Sequence, residues 1–213
     1  MENNDKSQKE QIIQRISELF LIYGLRSTSM DDIANHLRIS KKTLYQHFKN
    51  KDDVVEQVML ARLHDQKIRL ELQEEDRQNP IAIIDSTKRF IIARLNSLHP
   101  SNDFDMKKYH PEVYARIKDT EEKLKGEFLT TLLDQGIKQG YFRRDIDRDL
   151  QIYLLNTPLR YLSDPEMSAN MQYPISDVVC TILDNFIRAI STEKGLQEIK
   201  KYEKQKNGDS RTM

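Results

Sequence analysis

Residues 28–51 read TSMDDIANHLRISKKTLYQHFKNK, two short helical segments around a tight turn with a third helix starting behind them. Ser29 is placed to cap the first helix, with Asp32 three residues on in the capping-box position, where a carboxylate also suits the positive end of the helix dipole. Ile33, Ala34 and Leu37 form its inner face. Ser40 is a second N-cap, and Leu44 and Phe48 fall four apart on one side of the next helix, leaving Lys41, Lys42, Thr43, Gln46 and His47 facing outward.

The placing of the lysines is unusual. Lys41 and Lys42 occupy the first turn of their helix, and Lys51 follows Asn50, the cap expected for the next one. Each cation there opposes the helix dipole by about 0.3–1 kcal/mol, so stability does not account for three of them. A phosphate anion does, because both helix starts then offer it backbone N–H groups together with ammonium groups. No acid interrupts Ser40–Lys51, and Tyr45 adds a hydroxyl. A duplex backbone is the extended anion that fits, and a helix of this length fits a major groove.

These residues resemble the DNA-binding region of TetR-type transcriptional regulators. That family has a three-helix N-terminal domain whose third helix carries a pattern close to S-K-x-T-L-Y-x-H-F, with x-x-K following. Ser40, Lys41, Thr43, Leu44, Tyr45, His47, Phe48 and Lys51 match as they stand, and Gly24, Thr28, Asp32, Ile33 and Ala34 fit upstream. Where the family commonly has Gly in the turn, this chain has Arg38. A positive φ there costs an arginine about 1 kcal/mol relative to glycine. The resemblance implies an all-α chain, with a helix-turn-helix head over residues 7–50 and an effector-binding and dimerisation domain of bundled helices over 51–192. A charged, partly disordered tail is expected over 193–213, and about nine helices in total.

Composition agrees with that class. The 34 basic and 34 acidic residues cancel, so a nucleic-acid site has to be local. One cysteine, Cys180, excludes an internal disulfide and any cysteine ligand cluster. Its apolar neighbours favour a buried inert thiol over a redox sensor. Neither a signal-type leader nor an apolar run of membrane length occurs, so a cytoplasmic protein, nucleoid-associated when bound to DNA, is expected. Glu, Lys, Gln and Leu abound while alternating β-branched runs are few, which points to helices throughout.

Apolar periodicity places helices over about 8–23, from Lys51 past Leu72, over about 80–98, over 120–139 and over 175–190. Residues 99–111 read as a loop with a short helix, and Pro158 is expected to bend or break the helix after Gly140–Leu150. The stretch GYFRRDIDRDL, Gly140–Leu150, also resembles a turn of the same family, commonly G-x-F-R-x-D-x-D.

Roles divide by reach. Thr28, Ser29, Tyr45, His47 and Lys51 are the phosphate-contact candidates; Lys42, Thr43 and Gln46, with Lys41 shared, are the base readers, and Ser40 caps their helix. A solvated basic face is the plainer alternative for the same lysines. In the family the C-terminal helices enclose a pocket for a small, often apolar or aromatic effector, and Phe104, Met106, Tyr109, His110, Tyr114, Phe128 and Tyr153 are the candidates for one here, against ordinary core and surface.

Family members pair through their final two helices. The broad apolar face of the last long helix, with Val179, Ile182, Leu183, Phe186 and Ile190, together with Tyr153, is therefore the expected homodimer interface, against a wholly intramolecular core. Two-fold pairing also suits a palindromic operator in double-stranded DNA. His36, His47, His64, His99 and His110 form no i, i+3 or i, i+4 pair, and no His-Glu-x-x-His or glycine-rich phosphate loop occurs. No metal, cofactor or catalytic residue is expected. A DNA-bound architectural or partner-recruiting protein without a small ligand, and an α-helical enzyme with an incidental head, stay open as alternatives.

Overall fold

The computed structural model describes the backbone over residues 2–72, 79–97, 101–162 and 171–209. Ten helices lie in those residues: α1 Glu2–Tyr23, α2 Met30–Leu37, α3 Lys41–His47, α4 Lys51–Leu72, α5 Pro80–Ser97, α6 Ser101–Tyr109, α7 Pro111–Lys138, α8 Arg148–Leu162, α9 Ile175–Ile190 and α10 Glu193–Asp209. The only β pairing among them is an isolated antiparallel bridge between Phe142 and Ser191. Two compact units emerge, residues 1–68 with 98–122, and residues 69–97 with 123–213.

The first unit is built on one apolar cluster. Ile16, Leu19 and Phe20 of α1, Ile33, Ala34 and Leu37 of α2, Leu44 and Phe48 from α3 and its end, and Val54, Val55 and Val58 of α4 are all buried in it. Met106 of α6 and Val113 and Ile117 of α7 join the same cluster. Two links fix that association: buried His110 approaches Asp52 with Nδ1 to Oδ1 at 2.5 Å, and Arg116 donates to both carboxylate oxygens of Glu56 at 2.6 and 2.8 Å. Residues 101–122, read from sequence as part of the second domain, thus pack with the head.

Arg38 adopts φ 58° and ψ 40°, the sole non-glycine residue at positive φ among the described residues. Its N–H reaches Asn35 O at 3.1 Å and the N–H of Ile39 reaches Ala34 O at 3.0 Å, the paired bonds of a Schellman end. The turn that glycine usually makes is therefore kept, with arginine carrying the left-handed strain. From α1, Arg15 donates to His36 O at 2.8 Å, which places a cation at the negative end of α2.

The second unit buries Ile81 and Ile84 of α5, Leu132 and Leu133 of α7, Phe142, Leu155 of α8, Val179, Leu183, Phe186, Ile187 and Ile190 of α9, and Ile199 of α10. The Gly140 stretch is stitched into it. Gly140 takes φ 77°, Tyr141 and Phe142 donate to Gly136 O at 2.9 and 3.0 Å, Arg143 N–H reaches Ile190 O, and Thr192 N–H reaches Tyr141 O, both at 2.9 Å. Gly136 leaves the room that the Phe142 ring fills, since a Cβ there would lie 1.9 Å from the ring.

Two expectations need correction. Pro158 sits inside a continuous α8. It costs α8 one backbone donor, toward the carbonyl of Leu154, and the helix runs on from Arg148 to Leu162 without a break. The stretch expected as a loose tail forms α10 over Glu193–Asp209, because Leu196, Ile199 and Tyr202 recur on one face and pack on the second core.

Arg38→Gly is expected to raise unfolding free energy by about 1 kcal/mol, read as a higher denaturant midpoint at unchanged slope. Gly136→Ala is expected to lower it by about 1–3 kcal/mol, as overpacking against a fully buried ring does.

Candidate nucleic-acid interface

The interface is assembled by caps. Ser29 and Asp32 form a complete capping box: Ser29 N–H donates to Asp32 Oδ2 at 2.8 Å, and Asp32 N–H donates back to Ser29 Oγ at 3.2 Å. The hydrogen bond from the Ser29 side chain, aided by its backbone N–H, holds the Asp32 carboxyl below its ordinary value. Ser40 Oγ accepts from Thr43 N–H at 3.0 Å and shares a 2.8 Å hydrogen bond with the Thr43 hydroxyl. Asn50 caps α4 in the same way, its Oδ1 accepting from Asp53 N–H at 2.9 Å.

With the caps set, α3 turns Leu44 inward and leaves Lys41, Lys42, Tyr45 and Gln46 exposed, with Thr43 and His47 half-buried. The His47 ring lies 6.4 Å from that of Phe48, tilted by 56°. Lys41 is bridged to Asp31 of α2 at 2.6 Å, both side chains more than half exposed, and that hydrogen bond raises the Lys41 pKa. The bridge is a loose competitor for whatever anion Lys41 meets. Lys42 has no carboxylate partner among the described residues.

Two of the phosphate-contact candidates are spent partly on the fold. Thr28 is 2% exposed and its hydroxyl donates to Gly24 O at 2.8 Å, so it closes the α1–α2 turn instead of presenting its side chain. Lys51 Nζ donates to Leu25 O at 2.7 Å and is half-buried, and that burial pushes its ammonium below its ordinary pKa. Two of its three N–H donors stay available. Arg15, which braces α2 across 21 residues of sequence, gave no local signal.

Five of the seven effector candidates, Phe104, Met106, Tyr109, His110 and Tyr114, lie in the first unit, and Phe128 and Tyr153 lie in the second. Met106 is buried in the first core, Tyr114 packs on it, and His110 is committed to Asp52. Phe104 and Tyr109 are exposed in that same unit. Phe128 lies half-buried on the second core and Tyr153 is 66% exposed. Of the expected dimer residues, Val179, Leu183, Phe186 and Ile190 are buried in the second core, where α5 and α8 pack against α9. Ile182 packs on the same core, and Tyr153 alone of the set is at the surface.

Among the described residues no three His, Cys, Asp or Glu side chains are grouped to hold a metal, and no helix is long and apolar enough to cross a membrane.

Residues 12–58 match the family model for bacterial regulatory proteins of the tetR family. An uncharacterised HTH-type transcriptional regulator, YvaF of Bacillus subtilis, is 26% identical over 172 residues, covering 79% of this chain and 88% of its own. The HTH-type transcriptional repressor KstR2 of Mycobacterium tuberculosis is 26% identical over 166 residues, covering 68% and 74%. Among solved structures, the fold is shared with a TetR-family regulator from Mesorhizobium loti, at TM-score 0.63 and 17% identity over 87% of this chain and 98% of that one. It is shared also with FadR of Bacillus subtilis in complex with stearoyl-CoA, at TM-score 0.62 and 18% identity over 84% and 98%. The capped α2–turn–α3 head with its basic outer face thus lies within the stretch, residues 12–58, that matches the tetR family of bacterial regulatory proteins, and the rest of the chain shares its fold with TetR-family structures.

Proposed function

We propose that the protein is a cytoplasmic homodimeric repressor that binds a palindromic operator in double-stranded DNA and is released from it by a small organic effector. The observation that carries the DNA reading is the outer face of α3, where Lys42, Tyr45 and Gln46 stand exposed beside a capped helix start with no acid between Ser40 and Lys51. Lys42 and Gln46, with Thr43 and Lys41, have the side-chain chemistry to read base edges, and Ser29, Tyr45, His47 and Lys51 to hold the backbone. The sign of regulation is drawn from KstR2, a repressor by its description.

Pairing is supported by α8, where Leu150, Tyr153, Leu154 and Tyr161 stand half exposed or more at helical spacing. A contiguous apolar stripe of that size needs cover, and a second copy offers the same stripe across a two-fold axis. Release would act through α4, which starts at the phosphate-contacting Lys51 and continues to Leu72. Shifting that start changes the spacing of the two heads, and a tenfold loss of affinity requires about 1.4 kcal/mol of coupling. The commitment of Met106 to the first core and of His110 to Asp52 favours a second reading, a DNA-bound partner-recruiting protein with no small ligand. A thermal-shift screen of organic acids and acyl thioesters separates the two: a saturable stabiliser that releases DNA supports the repressor, and no stabiliser supports the alternative.

Selection of bound genomic fragments at near-physiological salt is expected to return a palindrome. On that site Tyr45→Ala is expected to weaken binding to every sequence, and Gln46→Ala to relax preference at one position per half-site. Equal losses on all sequences for both variants defeat this division. The log–log salt slope of wild-type binding is expected at about −6 to −10, and a slope near zero defeats the DNA reading. Tyr153→Lys with Leu154→Glu is expected to give a folded monomer by sedimentation, with DNA affinity lowered at least tenfold on the order of one lost half-site.

A further inference from the structure

Beside the head, on the unit it shares with α6, lies a group of cations that the helix-turn-helix does not use. Arg26 sits in the α1–α2 turn, next to the Leu25 carbonyl that holds Lys51 at 2.7 Å. Its guanidinium rests 5.3 Å from the centre of the Tyr109 ring at the end of α6. Lys108 lies over two rings at once, 5.4 Å from Tyr109 and 5.6 Å from Phe104. Lys107 is exposed next to it, in the same last turn of α6. Burial lowers the Lys51 pKa, and the carboxylates of Asp52, of Asp105 on α6 and of Asp32 oppose that shift.

Two features separate this group from an ordinary solvated surface. Unlike Lys41 and Arg116, which are paired with Asp31 and Glu56, the cations Arg26, Lys107 and Lys108 have no carboxylate partner among the described residues. The rings beneath Arg26 and Lys108 are also exposed, Phe104 to 51% and Tyr109 to 39%, where core packing would bury them. An aromatic face orients a cation without neutralising it, and it reduces the side-chain freedom lost when an anion arrives.

We propose that Arg26 and Lys108, seated on Phe104 and Tyr109, form with the adjacent exposed Lys107 a second phosphate-binding ridge that grips the DNA backbone flanking each half-site. The partner is inferred from continuity: Arg26 is three residues from the Ser29 cap, and its neighbour's carbonyl holds Lys51, so the ridge adjoins two of the head's phosphate-contact candidates. This inference rests on the DNA-binding reading above. Lys107 and Lys108 add sequence-independent grip from outside the region that matches the family model, since α6 lies beyond residue 58, while Arg26 lies within it.

The test uses the full-length protein and a 40-base-pair duplex of mixed sequence, titrated by fluorescence anisotropy over a range of salt concentrations, so that no operator need be known. The variant Arg26→Gln/Lys107→Gln/Lys108→Gln is expected to bind roughly tenfold more weakly and to flatten the log–log salt slope by about 2 to 3, since each lost phosphate contact removes about 0.9. Tyr109→Leu, which keeps every charge and removes a seat, is expected to weaken binding roughly threefold with a nearly unchanged slope. Lys200→Gln/Lys204→Gln, on exposed positions of α10, serves as the control for general charge and is expected to leave the slope within about 0.5 of wild type. Equal flattening by that control overturns the ridge, as does a triple variant with the wild-type slope. Failure of the wild-type protein to bind any duplex defeats the DNA reading itself, whereas wild-type binding that Lys42→Gln weakens and the triple variant does not defeats the ridge alone. Unchanged melting curves establish that each surface variant is folded.

Discussion

The reading helix exists because of what lies beneath it. At seven residues, α3 is far shorter than a helix that holds itself together in water. Its persistence depends on Leu44 and the following Phe48, which are 0% and 1% exposed and lock it onto Ile33, Leu37, Val54 and Val55. The caps at Ser40 and Asn50 then set where it begins and where α4 takes over. Everything on the outer face, Lys42, Tyr45 and Gln46 included, takes its direction from that inner contact. A loss of packing at Leu44 therefore removes the site as well as the fold around it.

The head was legible in the sequence because its determinants are local. A capping box is three residues wide, and the Leu44–Phe48 spacing is one helical turn, so short-range patterns carry them. Arg38 could be read as the left-handed corner for the same reason, and the structure keeps that corner with its two Schellman hydrogen bonds. The helix layout behind the head followed from apolar periodicity. Of the bend or break expected at Pro158, the break does not occur, because a proline removes one helical donor and leaves the other bonds of α8 in place.

What lay beyond the sequence is tertiary. The wide face of α9 reads equally well as an interface or as a core. Its burial comes from neighbours distant in sequence: α5 and α8 pack against α9, while the apolar stripe of α8 stays exposed. The aromatic segment around Phe104–Tyr114 reads as pocket lining, yet Met106, Val113 and Ile117 carry it into the core of the head, with His110 and Arg116 reaching Asp52 and Glu56 over 58 and 60 residues of sequence. Contacts of that separation leave no periodic trace. The same long reach hides Arg26 on Tyr109, which no local pattern would bring together.

Lys51 shows how such contacts reach beyond stability. A lysine on an open surface samples many rotamers, and a phosphate that captures it must suppress them, at roughly 0.5–1.5 kcal/mol for one long side chain. Here the hydrogen bond to Leu25 O has already confined the ammonium in the free protein, with two N–H donors left over. Much of the configurational disorder that binding would otherwise remove is gone before any duplex approaches. With Lys51 holding a phosphate as proposed, the carbonyl of a buried leucine would act on affinity without touching the nucleic acid.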